Sequence, residues 1–349
     1  MVSKVQIGNK LLGDGEPCFI IAEAGSNHNG SLEHAKRLID AAVESGSDSV
    51  KFQLFRANKL YPKTAGQSDY LNSERSIYDI IQDMEMPYEW LPELAAYCRE
   101  VRIIFLSSVF DEESVDQLDP YVPAYKIASY EMTHLPLVRY IAGKGKPVII
   151  STGTANLEEV AETVEAFFET GNQDLALMQC TASYPAPVES LNLNAITTLK
   201  NEFRVPVGLS DHSRDPLVGP LGAMALGANL LEKHFTLSNQ LPGPDHSYAV
   251  EPDELRLMIQ KVRGVEQALG SGVKERHGTE DELYDFARRY IFSSRHIGKG
   301  EELTTENTVI LRKGKLALGL LPKELGSVLG KKAARDIDPE HPLNLGDFA

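Results

Sequence analysis

Eight short apolar runs, each followed by an amphipathic stretch and nearly all ending in a polar or ionisable residue, constrain this chain more than any other feature. They lie at 18–25 (CFIIAEAG), 49–55 (SVKFQLF), 102–108 (RIIFLSS), 124–129 (AYKIAS), 147–152 (PVIIST), 175–180 (LALMQC), 205–210 (VPVGLS) and 229–235 (NLLEKHF). Continuous apolar runs of this length read as strands covered on both faces, the habit of parallel sheets. The stretches between them carry helix ends. Ser31 stands as an N-cap before Leu32, Ala35, Leu38, Ile39 and Ala42 on one face, and Gly46 is the stop. The last one opens with Pro252 in its first turn, presents Leu255, Met258, Ile259, Val262 and Leu269 as its buried face, and ends at Gly270. Eight strand-then-helix units with no second sheet pattern predict an α/β fold of the (β/α)8, or TIM-barrel, type in preference to an open doubly wound sheet.

A barrel of this kind takes about 250 residues, so the 349 of this chain leave room for an appendage. Residues 1–270 are assigned to the barrel, with a short hairpin around Gly8 and Asn9 at its start. Residues 271–289 (SGVKERHGTEDELYDFARR) read as a polar linker with a helical turn, and 290–349 as a small, mainly β domain of short apolar pieces broken by Gly, Asn and Pro.

The rest of the composition removes whole classes of function. No run approaches the roughly 18 apolar residues of a membrane span, and the first residues lack the apolar core and small-residue cleavage site of a secretory signal, so a cytoplasmic protein is expected. Cys18, Cys98 and Cys180 are odd in number, far apart and outside any CxxC pair, which argues for reduced thiols. A net charge of −15 repels nucleic acid and anionic membranes alike. A small anionic substrate would need cations gathered in a pocket, so buried Lys and Arg are the informative ones.

Those cations sit in the strands. A charge inside a parallel strand costs several kcal/mol unless it is paired or hydrogen-bonded, yet the exceptions here are patterned: Glu23; Lys51 with Gln53; Ser107 and Ser108; Lys126 with Ser129; Ser151 with Thr152; Thr181; Ser210, Asp211 and His212; Glu232 with His234. In a barrel all strand C-termini open on one mouth, where the active site is built. Lys51 with Glu23 on the next strand would also make a structural ion pair, but so many polar strand ends favour an active site. His212 and His234, on neighbouring strand ends, are candidates to share a divalent ion. With no cysteine beside them the site would be open, which suits Mn2+ above Mg2+ or Co2+ and argues against structural zinc. Lys51 and Lys126 with Ser108, Ser129, Ser151 and Ser210 form an inventory for holding phosphate and carboxylate together. Glu23 and Glu131 are the carboxylates free for proton work or for orienting a metal-bound water. No GxSxG elbow supports a Ser-His-Asp hydrolase.

The segments FIIAEAGSNHNG, VKFQLF, YKIASYE, VIISTG, CTASYPAP, GLSDHS and LEKHFTL…LPGPDHS, in this order over 18–248, together resemble the N-acetylneuraminate (sialic acid) synthase family. The tail GKGEELTTENTVILR…VLGKKAARDI is similar to that family's C-terminal antifreeze-like (SAF) domain. The resemblance implies a metal-assisted condensation of phosphoenolpyruvate with an open-chain N-acylated amino sugar, giving a 3-deoxy-2-ulosonic acid and phosphate. It implies that Lys51 and Lys126, with the four serines, grip phosphoenolpyruvate, that His212 and His234 bind the metal, and that Glu23 orients metal-bound water and sugar. Gln53 and Tyr184 would contact the sugar and Glu131 would assist proton transfer. It also implies a domain-swapped homodimer in which Arg312 of the partner's SAF domain reaches the N-acyl group. Lys313 stands where the family commonly has proline after that arginine, and Ala182 where sialic acid synthases often have asparagine. Both differences touch the sugar end, so synthases for legionaminic, pseudaminic and other surface-polysaccharide sugars are open alternatives. A barrel that binds sugar without turnover is the other.

Overall fold

A hairpin of β1 (Val5–Ile7) and β2 (Lys10–Leu12) leads into eight parallel strands in the computed structural model, which describes residues 2–67 and 74–349. These are β3 (Phe19–Gly25), β4 (Ser49–Leu54), β5 (Ile104–Val109), β6 (Tyr125–Ile127), β7 (Val148–Ser151), β8 (Leu175–Cys180), β9 (Val207–Asp211) and β10 (Leu230–His234). They close into a barrel in the order β10-β3-β4-β5-β6-β7-β8-β9. The expected (β/α)8 barrel is therefore the fold. All but β8 are shorter than their apolar runs, two of them for a visible backbone reason. Arg102 takes a left-handed φ of 62°, which delays β5 to Ile104, and β6 stops at Ile127 because Ser129–Glu131 turn into a single 3-10 turn.

Among the described residues, α1 (Leu32–Ser45), α2 (Leu91–Glu100), α3 (Glu112–Leu118), α4 (Leu135–Ala142), α5 (Leu157–Phe168), α6 (Asn194–Phe203), α7 (Val218–Ala225) and α8 (Pro252–Leu269) cover the barrel, with the short helices Ala57–Leu60 and Ile77–Asp83 between β4 and α2. The ends read from sequence are physical ones. Ser31 Oγ accepts from His34 N at 3.2 Å to cap α1, and Gly46 closes it at φ 86°, where a side chain would be strained. Leu269 is a correction. It is the last residue of α8 and half of it stays exposed, so the buried stripe ends with Val262 and the partly buried Val265.

The period-two alternation of a strand sorts the core into two layers. Outward residues such as Ile20, Ala22, Val50, Phe52, Leu54, Leu177 and Leu209 pack against the helices. Inward residues Phe19, Ile21, Leu106, Ala124, Ile149, Ala176, Met178 and Leu230 fill the barrel at one end, where Val5, Ile7 and Leu12 of the hairpin plug it. One step further along each strand the inward set turns polar. Gly208 shows how tight the wall is, since a Cβ there would lie 1.9 Å from the carbonyl oxygen of Leu230.

Residues Met1–Gly270 form one compact unit and Ser271–Ala349 a second. The second holds the short helix Asp281–Phe286, an antiparallel pair of β11 (Arg289–Ser293) and β12 (Thr308–Arg312), and a core of Ile291, Ile297, Leu303, Val328, Ile337 and Leu343. Among the described residues no helix is long and apolar enough to cross a membrane.

Candidate active site

The inward polar layer begins with the two lysines, both almost fully buried. Lys51 Nζ donates to Ser108 Oγ at 2.9 Å, stands 2.9 Å from Glu23 Oε2, and lies 3.6 Å from Glu232 Oε2. Lys126 Nζ donates to Ser151 Oγ at 2.5 Å and lies 3.8 Å from Glu232 Oε1, which accepts from Ser210 Oγ at 2.9 Å. Strand register makes this convergence: Glu23 is opposite Lys51, Gln53 opposite Ser108, Ser108 opposite Lys126, and Ser210 opposite Glu232. Of the two expectations for Glu23, a free carboxylate and an ion-pair partner for Lys51, the structure corrects the first and bears out the second: it is bound into the lysine pair and receives Gln53 Nε2 at 3.3 Å. Burial pushes the Glu23 carboxyl up to about 7 despite Lys51 beside it, whereas Lys126 and Lys51 outweigh burial at Glu232 and hold it below its ordinary value. Glu232, counted from sequence among the polar strand ends but given no role, stands between the two ammonium groups. Its signal was there: it lies two residues before His234 and so on the same inward face.

His212 and His234 face each other across β9 and β10 with ring centroids 5.2 Å apart. The Nδ1 of His212 lies 3.0 Å from the Thr181 carbonyl, to which it donates, so Nε2 keeps its lone pair. Burial and the neighbouring cations hold His234 well below the ordinary histidine range, which leaves it neutral. Its Nδ1 is 3.4 Å from Tyr248 Oη and 4.0 Å from Asp245 Oδ2. Neutral His234 and His212, whose Nδ1 is committed to a backbone carbonyl, each leave a ring nitrogen that fits a divalent ion. Among the described residues no group of three or more His, Cys, Asp or Glu side chains is placed to hold one, so water and substrate oxygens would complete its shell. The expectation of no cysteine beside the histidines is corrected: Cys180, at the end of β8, has Sγ 3.8 Å from His212 Nδ1. Burial opposes charge on both, but their proximity wins: the thiol is drawn below and the imidazole above its ordinary value.

Tyr184 stacks on His212 at 4.2 Å and meets His234 edge-on at 6.0 Å. With Gln53, Glu131, His234 and Asp245 it lines a cavity of about 640 Å³ that Phe55, Ile77, Ile80, Ile81 and Phe110 bound on the apolar side. Glu131 lies in its wall with a buried Oε2 free of any hydrogen-bond partner, and burial raises the carboxyl to about 7. Asp245 was missed. A Cβ on Gly25 would lie 3.3 Å from its Oδ2, 3.6 Å from Glu23 Oε1 and 3.9 Å from Gln53 Nε2, so the three side chains meet around that glycine. Ser129 is buried above Lys126 in the sequence, where its Oγ accepts from Gly153 N at 3.0 Å. Arg312 lies in the second unit, exposed at the end of β12. Next to it Lys313 is buried, with Nζ 3.3 Å from Asp285 Oδ2 and from the carbonyls of Gly314 and Leu316.

A closed parallel barrel with its polar, ionisable side chains gathered at the C-terminal strand ends defines a TIM-barrel enzyme. Residues 38–274 match the NeuB family, and the chain belongs to it. It is 44% identical to the Bacillus subtilis spore coat polysaccharide biosynthesis protein SpsE, over 95% of this chain and 94% of that one. It is 39% identical to the N,N'-diacetyllegionaminic acid synthase of Legionella pneumophila, over 95% and 94%. Among solved structures it resembles the N-acetylneuraminic acid synthetase of Leptospira borgpetersenii, determined in complex with citrate. That match has a TM-score of 0.74 and 31% identity, over 81% of this chain and 96% of the other. The chain is a transferase-type condensing enzyme, a synthase of the nonulosonic acid group.

Proposed function

We propose that this enzyme condenses phosphoenolpyruvate with the open-chain form of an N-acylated amino sugar, N-acetylmannosamine or a relative, to give a sialic-acid-type 3-deoxy-2-ulosonic acid and inorganic phosphate. The observation that carries the reading is the buried pair Lys51 and Lys126, each with a serine hydroxyl, one barrel layer from the facing histidines. The balance is simple: C3 of phosphoenolpyruvate bonds to the sugar aldehyde carbon, water adds at C2, and the C2–O bond to phosphate breaks.

Lys51 and Lys126, with Ser108, Ser129, Ser151 and Ser210, hold the carboxylate and phosphate and meet the charge that grows on the leaving group. Glu23, as carboxylate, orients the metal-bound water and the sugar and meets the positive charge that grows at C2. Gln53, Tyr184 and Asp245 contact sugar hydroxyls in the cavity. Glu131, with a carboxyl near 7, is poised to pass a proton at neutral pH. A divalent ion on His212 and His234, Mn2+ before Mg2+ or Co2+, supplies Lewis-acid polarisation of the aldehyde oxygen. Arg312 of a partner subunit completes the N-acyl contact in a homodimer. The names of the relatives and Ala182 favour a diacetamido or other surface-polysaccharide sugar over N-acetylmannosamine itself.

Phosphate release is measured with Mn2+, phosphoenolpyruvate and a panel of N-acyl hexosamines and 2,4-diacetamido sugars. Release that needs both metal and one of these sugars is expected. Sugar binding with no release from any member of the panel would overturn the assignment in favour of a non-catalytic barrel.

A further inference from the structure

The residues that immediately precede the two histidines, Asp211 and Lys233, turn the other way. They are opposite each other in the β9–β10 register, one step before His212 and His234, and both are 1% exposed. Period two sends them to the outer face of the barrel, under α7. Lys233 Nζ donates to Asp211 Oδ2 at 2.7 Å and also to the carbonyls of Ser213 at 2.5 Å and Asp215 at 2.9 Å. Asp211 Oδ1 accepts from Ser213 N at 2.8 Å, while Asp215 Oδ1 accepts from Leu217 N at 2.7 Å and Val218 N at 2.8 Å at the start of α7. The helix comes so close that a Cβ on Gly219 would stand 2.7 Å from Asp211 Oδ2.

Outward positions in the strands β3 to β8 carry no charge: Ile20, Val50, Phe105, Ile150 and Leu177 among them are apolar, and Ser107 and Gln179 are neutral. A buried ion pair is no better than well-packed hydrophobic residues for stability, so stability alone does not explain two charges here. An apolar pair would join the two strands, but it would leave the carbonyls of Ser213 and Asp215 unheld and the 212–215 segment loose. We infer that Asp211 and Lys233 are positioning residues for the metal: their ion pair, with the three backbone groups it fastens, fixes the spacing of the His212 and His234 rings. The inference rests on the reading of those histidines as metal ligands. Groups that orient metal ligands without touching the metal typically account for 10- to 100-fold in metal affinity.

The test is Mn2+ affinity of the full-length protein, read from the electron paramagnetic resonance signal of free Mn2+, beside a thermal melt. Wild type should bind one Mn2+ per chain and His212→Ala should lose it. The double variant Asp211→Leu/Lys233→Met removes both charges without stranding either. Gly219→Ala keeps both and displaces the carboxylate. Each should remain folded and bind Mn2+ at least 10-fold more weakly. Wild-type affinity in either folded variant would overturn the inference, and so would unfolding of both, since the pair would then be a determinant of the fold. No Mn2+ binding by wild type, or binding that survives His212→Ala, would overturn the metal reading itself and the inference with it.

Discussion

Glu131→Gln should make the protein more stable and less active, and the stability gain should depend on pH in a direction fixed by the structure. The Glu131 carboxyl is raised from an ordinary 4.5 to about 7 by burial, with Oε2 unpartnered in the cavity wall. A carboxyl whose pKa is higher folded than unfolded binds its proton more tightly in the native state. Its contribution is therefore intact below the unfolded pKa and is lost as pH rises through the folded one. At about 1.4 kcal/mol per pKa unit, the native protein carries a penalty of roughly 3 kcal/mol at pH 8.5 and under about 1 kcal/mol at pH 5. Glutamine has nothing to ionise and escapes both. In a barrel of this size 1 kcal/mol corresponds to about 2 °C, so melts of the two proteins should differ by about 5 °C at pH 8.5 and converge toward pH 5. Phosphate release by the variant should fall about 100-fold or more if the carboxyl passes a proton. A melting difference that is constant with pH, or a variant less stable than wild type at pH 8.5, would refute the assignment of a buried, proton-holding carboxyl.

Lys51→Met leaves Glu23 and Glu232 facing each other without their shared cation; breaking a buried pair costs about 3–5 kcal/mol, so the variant should melt several degrees lower, stay folded and release no phosphate. Turnover per folded molecule equal to wild type would make Lys51 purely structural. Because burial already raises the Glu23 carboxyl above its ordinary value, an anion arriving at the lysines should raise it further. Phosphoenolpyruvate binding at pH 7.5 should then take up on the order of half a proton more in wild type than in Glu23→Gln, measured as calorimetric heat in buffers of different ionisation enthalpy; equal buffer dependence in the two proteins would sink the idea.

The strand ends were legible because a parallel barrel leaves few ways to explain a charge in an apolar run. Lys51, Lys126, His212 and His234 all break the pattern of their own strands, and all four lie in the inward layer at the C-terminal ends. What depends on three strands at once was not legible. Glu232 lies between the lysines only because β10 closes the barrel against β3 and β9 together. The Glu23–Lys51 pair could be read from neighbouring strands, but its sharing with Glu232 could not. Asp245 and Tyr248 sit in a loop whose return is set by a Phe235–Val250 bridge and by Asn239 Nδ2 donating to the carbonyls of His246 and Ala249. No periodicity in the chain encodes such a path.

The lysine that first breaks the β4 pattern is thus half of a balanced set, and the balance bears on how the site works. Two ammonium and two carboxylate groups share one dry layer, where an isolated charge is very costly and a matched one is tolerable. With both carboxylates ionised the layer is neutral, so it survives empty; with Glu23 protonated it carries one net positive charge. Since Glu23 titrates near neutrality while Glu232 is held ionised, the two carboxylates have different tasks. Glu232 keeps the lysines apart from each other and in place, with Ser210 anchoring it. On the proposed reaction Glu23 is the one that responds, its carboxyl drawn up while a substrate anion holds the ammonium groups and needed as carboxylate when C2 becomes cationic. The acidic surface of the protein then matters little to the affinity for that anion, because the attraction is made inside the barrel, from charges already paid for by the fold.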